Sequence, residues 1–108
     1  MTKEVNEIDS VEQYDSIISY QGLVVIDYHA VWCGPCKQIA PIYERTAAEY
    51  PDVQFCKINV DTQALGVIVN NNRVSSLPTF IIYKNGKEVE RVVGANITQI
   101  INGIKKHL

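Results

Sequence analysis

Apolar residues recur along the chain with two periods, one typical of helices and one of strands. Residues 23–26 form a continuous aliphatic run, which predicts a strand buried on both faces. From Cys36 onward, apolar residues fall three or four positions apart, which predicts a long helix that Pro41 bends rather than ends. Two shorter runs, residues 54–59 and 79–83, predict two further strands.

Capping and turn residues delimit other elements. Ser10, with Gln13 three positions later, is a capping-box pattern that predicts a helix start. Asn96 is a suitable N-cap for a last helix. Asn85-Gly86 is typical of a two-residue hairpin turn, so the residues after it return as a strand.

The predicted element order is β-α-β-α-β-α-β-β-α, opening with a strand around Val5. Alternation in the first half indicates parallel strands with right-handed crossovers, and the hairpin adds an antiparallel pair. The fold class is therefore α/β, with a mixed sheet between helices on both faces. A chain of 108 residues can bury one core, so we expect a single domain over residues 1–108.

Composition narrows the classes of function. Ten Lys and Arg against twelve Asp and Glu give a net charge of -2, which disfavours nucleic acid or an anionic membrane as a partner. No apolar run approaches the ~18 residues of a membrane span. The N-terminal residues lack the pattern of a signal peptide, and three cysteines are an odd number for a disulfide-stapled secreted domain. We therefore expect a cytoplasmic monomer.

Two of the cysteines carry the candidate chemistry. Cys33 and Cys36 lie where a buried strand gives way to a helix, and this spacing puts their Cα atoms about 5–5.5 Å apart, within disulfide range. The helix N-terminus favours the thiolate of Cys33, which is the nucleophilic form. Cys36, one turn inside, should be less exposed and suited to resolving a mixed disulfide. The pair predicts a dithiol–disulfide switch.

The sequence predicts no metal and no cofactor. Zinc needs about four ligands, and the remaining candidates, Cys56, His29 and His107, are not at paired spacing. The sequence contains no glycine-rich phosphate-binding motif. Asn85-Gly86 does not count as one, since it is interpreted as a hairpin turn.

Three segments together resemble the thioredoxin family across essentially the whole chain. They are Trp32-Cys33-Gly34-Pro35-Cys36-Lys37, Leu77-Pro78-Thr79 and Val93-Gly94-Ala95-Asn96. The resemblance implies the thioredoxin fold and a general protein-disulfide reductant. It also implies recycling by an NADPH-dependent thioredoxin reductase, and disulfide-containing clients of the peroxiredoxin, methionine sulfoxide reductase or ribonucleotide reductase type.

The resemblance also assigns roles around the cysteines. Asp27 matches a buried aspartate that exchanges a proton with the resolving cysteine, and burial should raise its pKa. Lys57 matches the lysine that partners this aspartate. From the residues alone, two other interpretations stay open: a carboxylate at an exposed strand end and a solvated strand charge.

A contact surface for protein substrates is implied beside the cysteines. In the family, the proline matching Pro78 is cis, which leaves the backbone of Leu77 free to pair with an extended substrate. An exposed Trp32 next to the nucleophile suits a protein-sized client better than a small molecule. The full predicted surface comprises Trp32, Gly34, Pro35, Val60, Leu77, Pro78, Val93, Gly94 and Ala95.

Several positions depart from the family pattern or leave choices open. His29 stands where the family usually has an aromatic residue; it either shifts the thiolate equilibrium of Cys33 or is simply packed or solvated. Residues 64–71 predict a weak helix, and residues 62–73 fit the family poorly, because Gly66 and a run of asparagines lower the helix propensity and leave the length of this helix open. Cys56 is interpreted as a buried thiol, with a regulatory disulfide or dimer as the other interpretation.

Two rival functions remain beside the reductant. A glutathione-linked or oxidising relative would share the fold, although Gly34-Pro35 between the cysteines argues against it. A redox-gated binding module would clamp a partner without turnover.

Overall fold

The computed structural model describes residues 5–108, and its elements follow the predicted order. Strands β1, β3 and β2 are parallel, and β4 and β5 continue the sheet as antiparallel neighbours of β2 and β4. The predicted mixed sheet is thereby confirmed, in the spatial order β1-β3-β2-β4-β5. The strands are β1 Asn6–Glu7, β2 Leu23–His29, β3 Gln54–Asn59, β4 Thr79–Lys84 and β5 Lys87–Val93.

Helices cover both faces of this sheet, as predicted. Helices α2 and α4 share one apolar cluster with the sheet, and α1 and α3 share a second cluster on the opposite face. Within the described range, no helix has both the length and the apolar character needed to cross a bilayer. The helices are α1 Val11–Ile18, α2 Gly34–Glu49, α3 Gly66–Asn71 and α4 Ile97–His107, with a 3₁₀ turn at Gln63–Leu65 before α3.

Strand β2 is central and is buried on both faces, as its aliphatic run predicts. Leu23 and Val25 belong to the cluster under α2 and α4, whereas Val24 and Ile26 belong to the cluster under α1 and α3. This alternation is the period of two that a strand imposes. It places Asp27 on the same face as Val25, directly beneath the start of α2.

The predicted caps and turn form, with one difference. The Ser10 hydroxyl accepts the N–H of Gln13 at 3.1 Å, but the Gln13 side chain accepts the N–H of Asp9 rather than that of Ser10. The second hydrogen bond of the capping box is therefore made by the residue before the N-cap and not by the N-cap residue itself. In the hairpin, Asn85 and Gly86 have φ of 54° and 78°, the left-handed values that a two-residue turn of this kind requires.

The weak helix predicted over residues 64–71 is confirmed, and the structure gives it six residues, Gly66–Asn71. Its C-cap, Asn72, joins a buried polar network. The Asn72 Oδ1 accepts the Tyr83 hydroxyl at 2.8 Å, and the Tyr83 hydroxyl lies 2.6 Å from that of Tyr28. The asparagine that weakens the helix thus satisfies buried tyrosine groups, which are costly to leave unpaired.

Candidate functional site

Cys33 and Cys36 form a disulfide at the start of α2, with their Cα atoms 5.3 Å apart, as the spacing predicts. Cys33 is the N-cap of this helix, and its Sγ accepts the N–H of Cys36 at 3.2 Å. Pro35 occupies the first turn, where its missing N–H costs nothing. The helix N-terminus therefore directs a backbone donor and the positive end of its dipole at one sulfur.

The two cysteines are almost equally buried. Cys33 is 5% exposed and Cys36 is 4% exposed, so the difference has the predicted direction but is very small in this disulfide form. Both are buried with Ala30, and the half-buried Val60 and Leu77 pack against them. The bond ties the two residues into one turn, so the same neighbours cover both.

Asp27 lies inside the protein rather than at an exposed strand end. It is 4% exposed, and its Oδ1 has no hydrogen-bond partner among the described residues. Burial raises the pKa of Asp27 from 3.8 to about 7, while the positive charge of Lys57 lowers it. The carboxyl can therefore take up and release a proton near neutral pH.

A row of alternating charges crosses three strands beneath α2. Glu7 on β1 is paired in register with Lys57 on β3, and Lys57 is paired with Asp27 on β2. The Nζ of Lys57 lies 3.9 Å from a carboxylate oxygen of Glu7, so the ion pair of this lysine is with Glu7. The sequence analysis missed Glu7, because only the register of a two-residue strand brings it here.

A cavity of about 300 Å³ lies beside Asp27 and Lys57 of this row and reaches one cysteine of the redox pair. Asp27, Cys36 and Lys57 line it, together with His29 and Lys37. The cavity is large enough for water, and its largely apolar wall carries a few polar groups that can bind it, from Asp27, His29, Lys37 and Lys57. The arrangement therefore places the buried carboxyl and the second cysteine at one cavity.

His29 is half-buried at the end of β2. Its side chain is 18% exposed, and its Nε2 lies 4.0 Å from a carboxylate oxygen of Glu7. Burial lowers the pKa of His29, and the nearby Glu7 partly offsets this effect. The ring is therefore neutral at pH 7, and its predicted influence on Cys33 stays a prediction.

Exposed apolar side chains surround the cysteines, as predicted for a contact surface. Trp32 is 68% exposed and Val93 is 58% exposed, and Val31, which the sequence analysis missed, is 65% exposed. The indole Nε1 of Trp32 donates to Asp61 Oδ2 at 2.7 Å. Asp61 was also missed, because 29 positions separate it from Trp32 and only the fold brings them together.

The other predicted surface residues come from three loops that meet at this end of the sheet. The Leu77–Pro78 peptide bond is cis, which confirms the expectation. The Pro78 carbonyl accepts the N–H of Gly94 at 2.8 Å, so these two segments are adjacent. Gly94 has φ of 106°, a value that favours glycine. Gly34, Pro35 and Ala95 are exposed beside them.

Cys56 is fully buried in β3, as predicted. It belongs to the cluster under α1 and α3, on the sheet face opposite Lys57 and Asp27. The third cysteine is therefore separated from the redox pair by the sheet itself.

Comparison with known proteins agrees with this geometry. The family model for thioredoxin matches residues 5–106. Thioredoxin-1 of Saccharomyces cerevisiae is 45% identical over 100 residues, covering 93% of this chain and 95% of that protein. The crystal structure of thioredoxin from Trypanosoma brucei brucei superposes with a TM-score of 0.91 at 40% identity, covering 98% of this chain and 92% of that one.

One similar structure carries information about clients. It was solved for the structural basis of the thiol resolving mechanism in yeast mitochondrial 1-Cys peroxiredoxin via glutathione/thioredoxin systems. The matching chain is 32% identical, with a TM-score of 0.86 and 94% coverage of both chains.

A dithiol–disulfide pair at a helix start, on this five-stranded sheet, defines a thiol–disulfide oxidoreductase. The chain belongs to the thioredoxin family. It is a redox protein that acts as a protein-disulfide reductant.

Proposed function

We propose that Cys33 attacks the client disulfide and that Cys36 resolves the product. The Cys33 thiolate forms a bond to one client sulfur, and the other client sulfur leaves with the electron pair. Cys36 then loses its proton to Asp27, and its sulfur attacks the Cys33 sulfur. The second client sulfur leaves as a thiolate, so the client is reduced by two electrons and the Cys33–Cys36 pair is oxidised.

The observation that carries this proposal is the cavity shared by Asp27 and Cys36. A proton acceptor is useful at neutral pH when its pKa lies close to the working pH. Burial brings the pKa of Asp27 to about 7, whereas an exposed carboxyl would be too weak a base for a thiol. Lys57 acts in this scheme as the positive charge that keeps the pKa of Asp27 from rising further.

Docking of the client is assigned to the exposed surface around the disulfide. Trp32 and Val93 offer apolar area, and Val60 and Leu77 form the floor beside the sulfurs. The remaining contacts are assigned to Gly34, Pro35, Gly94 and Ala95, with Pro78, which is buried, holding the main chain of Leu77 beside them. A main-chain pairing between Leu77 and an extended client segment would tolerate many client sequences.

The wider setting follows from the family. An NADPH-dependent thioredoxin reductase recycles the disulfide form, and peroxiredoxin, methionine sulfoxide reductase and ribonucleotide reductase are the client types. The protein works in the cytoplasm as a monomer, with residues 1–108 as one domain. Residues 1–4 lie outside the described residues, so the start of the domain is part of the proposal.

The test of this function is the equilibrium reduction potential of the Cys33/Cys36 pair in a glutathione or dithiothreitol buffer. A potential below the cytosolic glutathione poise, roughly −220 to −260 mV, is expected for a reductant. A potential clearly above that range would identify an oxidising relative instead. Cys33→Ser and Cys36→Ser then separate the roles: the first should abolish insulin reduction, and the second should trap the client as a mixed disulfide. Retained client binding and function in Cys33→Ser would instead indicate a binding module.

A further inference from the structure

We propose that His29 is the proton outlet of the Asp27 cavity, with Glu7 as the counter-ion of the protonated ring. This inference rests on the proposed proton transfer from Cys36 to Asp27. After that transfer, the proton lies on a carboxyl that is 4% exposed, and it must reach solvent before Asp27 can act again. A histidine lines the same cavity and is more exposed than this carboxyl.

Along the proposed route from Asp27 through His29 to Glu7, each side chain is more exposed than the one before it. Asp27 is buried, the His29 side chain is 18% exposed, and the Glu7 side chain is 45% exposed. Asp27 and His29 lie two residues apart on β2, so both project from the same sheet face. Both line the cavity that reaches Cys36.

Unpartnered polar atoms lie at both ends of the step. Asp27 Oδ1 and His29 Nε2 are buried without hydrogen-bond partners among residues 5–108. Buried polar atoms normally have partners, and exceptions in a cavity of this size point to water between them or to direct exchange. Glu7 lies 4.0 Å from His29 Nε2, close enough to stabilise a transient imidazolium.

The other charged groups that line the cavity with Asp27 and His29 are cationic: Lys57 on β3 and Lys37 on α2. The positive charge of Lys57 lowers the pKa of His29 and so favours the neutral ring between transfers. Burial acts in the same direction. A neutral imidazole accepts the proton of Asp27, holds it beside Glu7 and releases it to bulk water, so each turnover exports the one proton that Cys36 loses.

The experiment follows the reduced protein with one equivalent of Ellman's reagent in a stopped-flow instrument. Attack by Cys33 releases the first aromatic thiolate, and resolution by Cys36 releases the second, so the second phase reports the resolving step. At about pH 6, most molecules start with Asp27 protonated, since its pKa is about 7. Asp27 must then lose its proton before it can accept that of Cys36.

His29→Gln is expected to slow the second phase about tenfold at pH near 6 and to match wild type near pH 9, where Asp27 is already ionised. Added imidazole should restore the rate, because a soluble base replaces the missing ring. The matched control is His107→Gln, a half-buried histidine that lies 3.1 Å from Glu90 at the far end of the protein. It should leave the rate unchanged.

An unchanged second phase in His29→Gln would overturn the outlet, and so would a slow phase that imidazole does not restore. His29→Asn serves as the second variant if the first does not fold. Asp27→Asn separates the two proposals, since it should slow resolution throughout about pH 6–8. If Asp27→Asn alone is slow, only the outlet fails. If Asp27→Asn resolves at the wild-type rate, the proton step of the proposed function fails as well.

Discussion

Asp27 makes stability depend on pH, and Asp27→Asn should remove that dependence. The native carboxyl has a pKa of about 7, against 3.8 for its ordinary value. Between these values the native state holds more protons than the unfolded state, so the free energy of unfolding falls as the pH rises through this window. The contribution of the protonated Asp27 carboxyl to the free energy of unfolding is fully present below pH 3.8 and is lost above pH 7.

The magnitude follows from the same two values. One pKa unit corresponds to about 1.36 kcal/mol, so ionising the buried Asp27 costs about 4 kcal/mol at alkaline pH. Solvent does not screen this cost appreciably, because the residue is 4% exposed. That is a large part of the roughly 5–15 kcal/mol by which a folded domain is typically more stable than its unfolded chain. Asp27→Asn should therefore be more stable than wild type at pH near 9 and similar to it near pH 4.

Urea unfolding of the disulfide form at a series of pH values, followed by circular dichroism, measures this effect without interference from thiol titration. Asp15→Asn is the control, since Asp15 is an exposed carboxylate on α1 and its substitution should give a difference that does not vary with pH. A difference between Asp27→Asn and wild type that stays within about 1 kcal/mol across the range would refute the reasoning.

Three further predictions concern the charge row and the helix that departs from the family. Lys57→Met should raise the pKa of Asp27 further, because the lysine charge lowers it; a carboxyl-carbon NMR titration of the disulfide form measures the midpoint. Asn72→Ala should destabilise the protein by about 1–3 kcal/mol in urea unfolding. The Asn72 side chain accepts a hydrogen bond from the Tyr83 hydroxyl, and without it one hydroxyl of the Tyr28–Tyr83 pair has no acceptor. Gly66→Ala should stabilise it by about 0.5–1 kcal/mol, because an added methyl group meets nothing within 4 Å in a helical position.

Controls for these three variants come from the same chain. Lys106→Met removes an exposed charge far from Asp27 and should not change the pKa of Asp27. If the pKa of Asp27 in Lys57→Met is equal to or lower than that in wild type, Glu7 already neutralises the lysine charge. Asn70→Ala changes an exposed asparagine of α3, so a loss equal to that of Asn72→Ala would contradict the network. A lower melting temperature for Gly66→Ala would mean that α3 needs the glycine.

The disulfide pair shows how far local chemistry alone reaches. Cysteines three residues apart at a strand-to-helix boundary dictate their own separation and their place at the helix N-terminus, because both follow from the geometry of one turn. The caps at Ser10 and Asn96 and the turn at Asn85-Gly86 are predictable for the same reason. Each involves residues within four positions of one another.

Other features needed the folded chain. Glu7 contacts Lys57 and His29 only because β1 pairs with β3 in one register, and a two-residue strand carries too little pattern to specify it. Asp61 reaches Trp32 across 29 positions. The near-equal burial of Cys33 and Cys36 depends on side chains from two other loops.

The sequence by itself thus determined the element order, the redox pair and the period of two that puts Asp27 and His29 on one sheet face. The tertiary structure decided whether that face is closed. Only the packing of α2 over the carboxyl ends of β2 and β3 removes Asp27 from water and encloses it in a cavity with Cys36. Desolvation depends on every neighbour at once, so the pKa of Asp27 is a property of the fold and not of any segment.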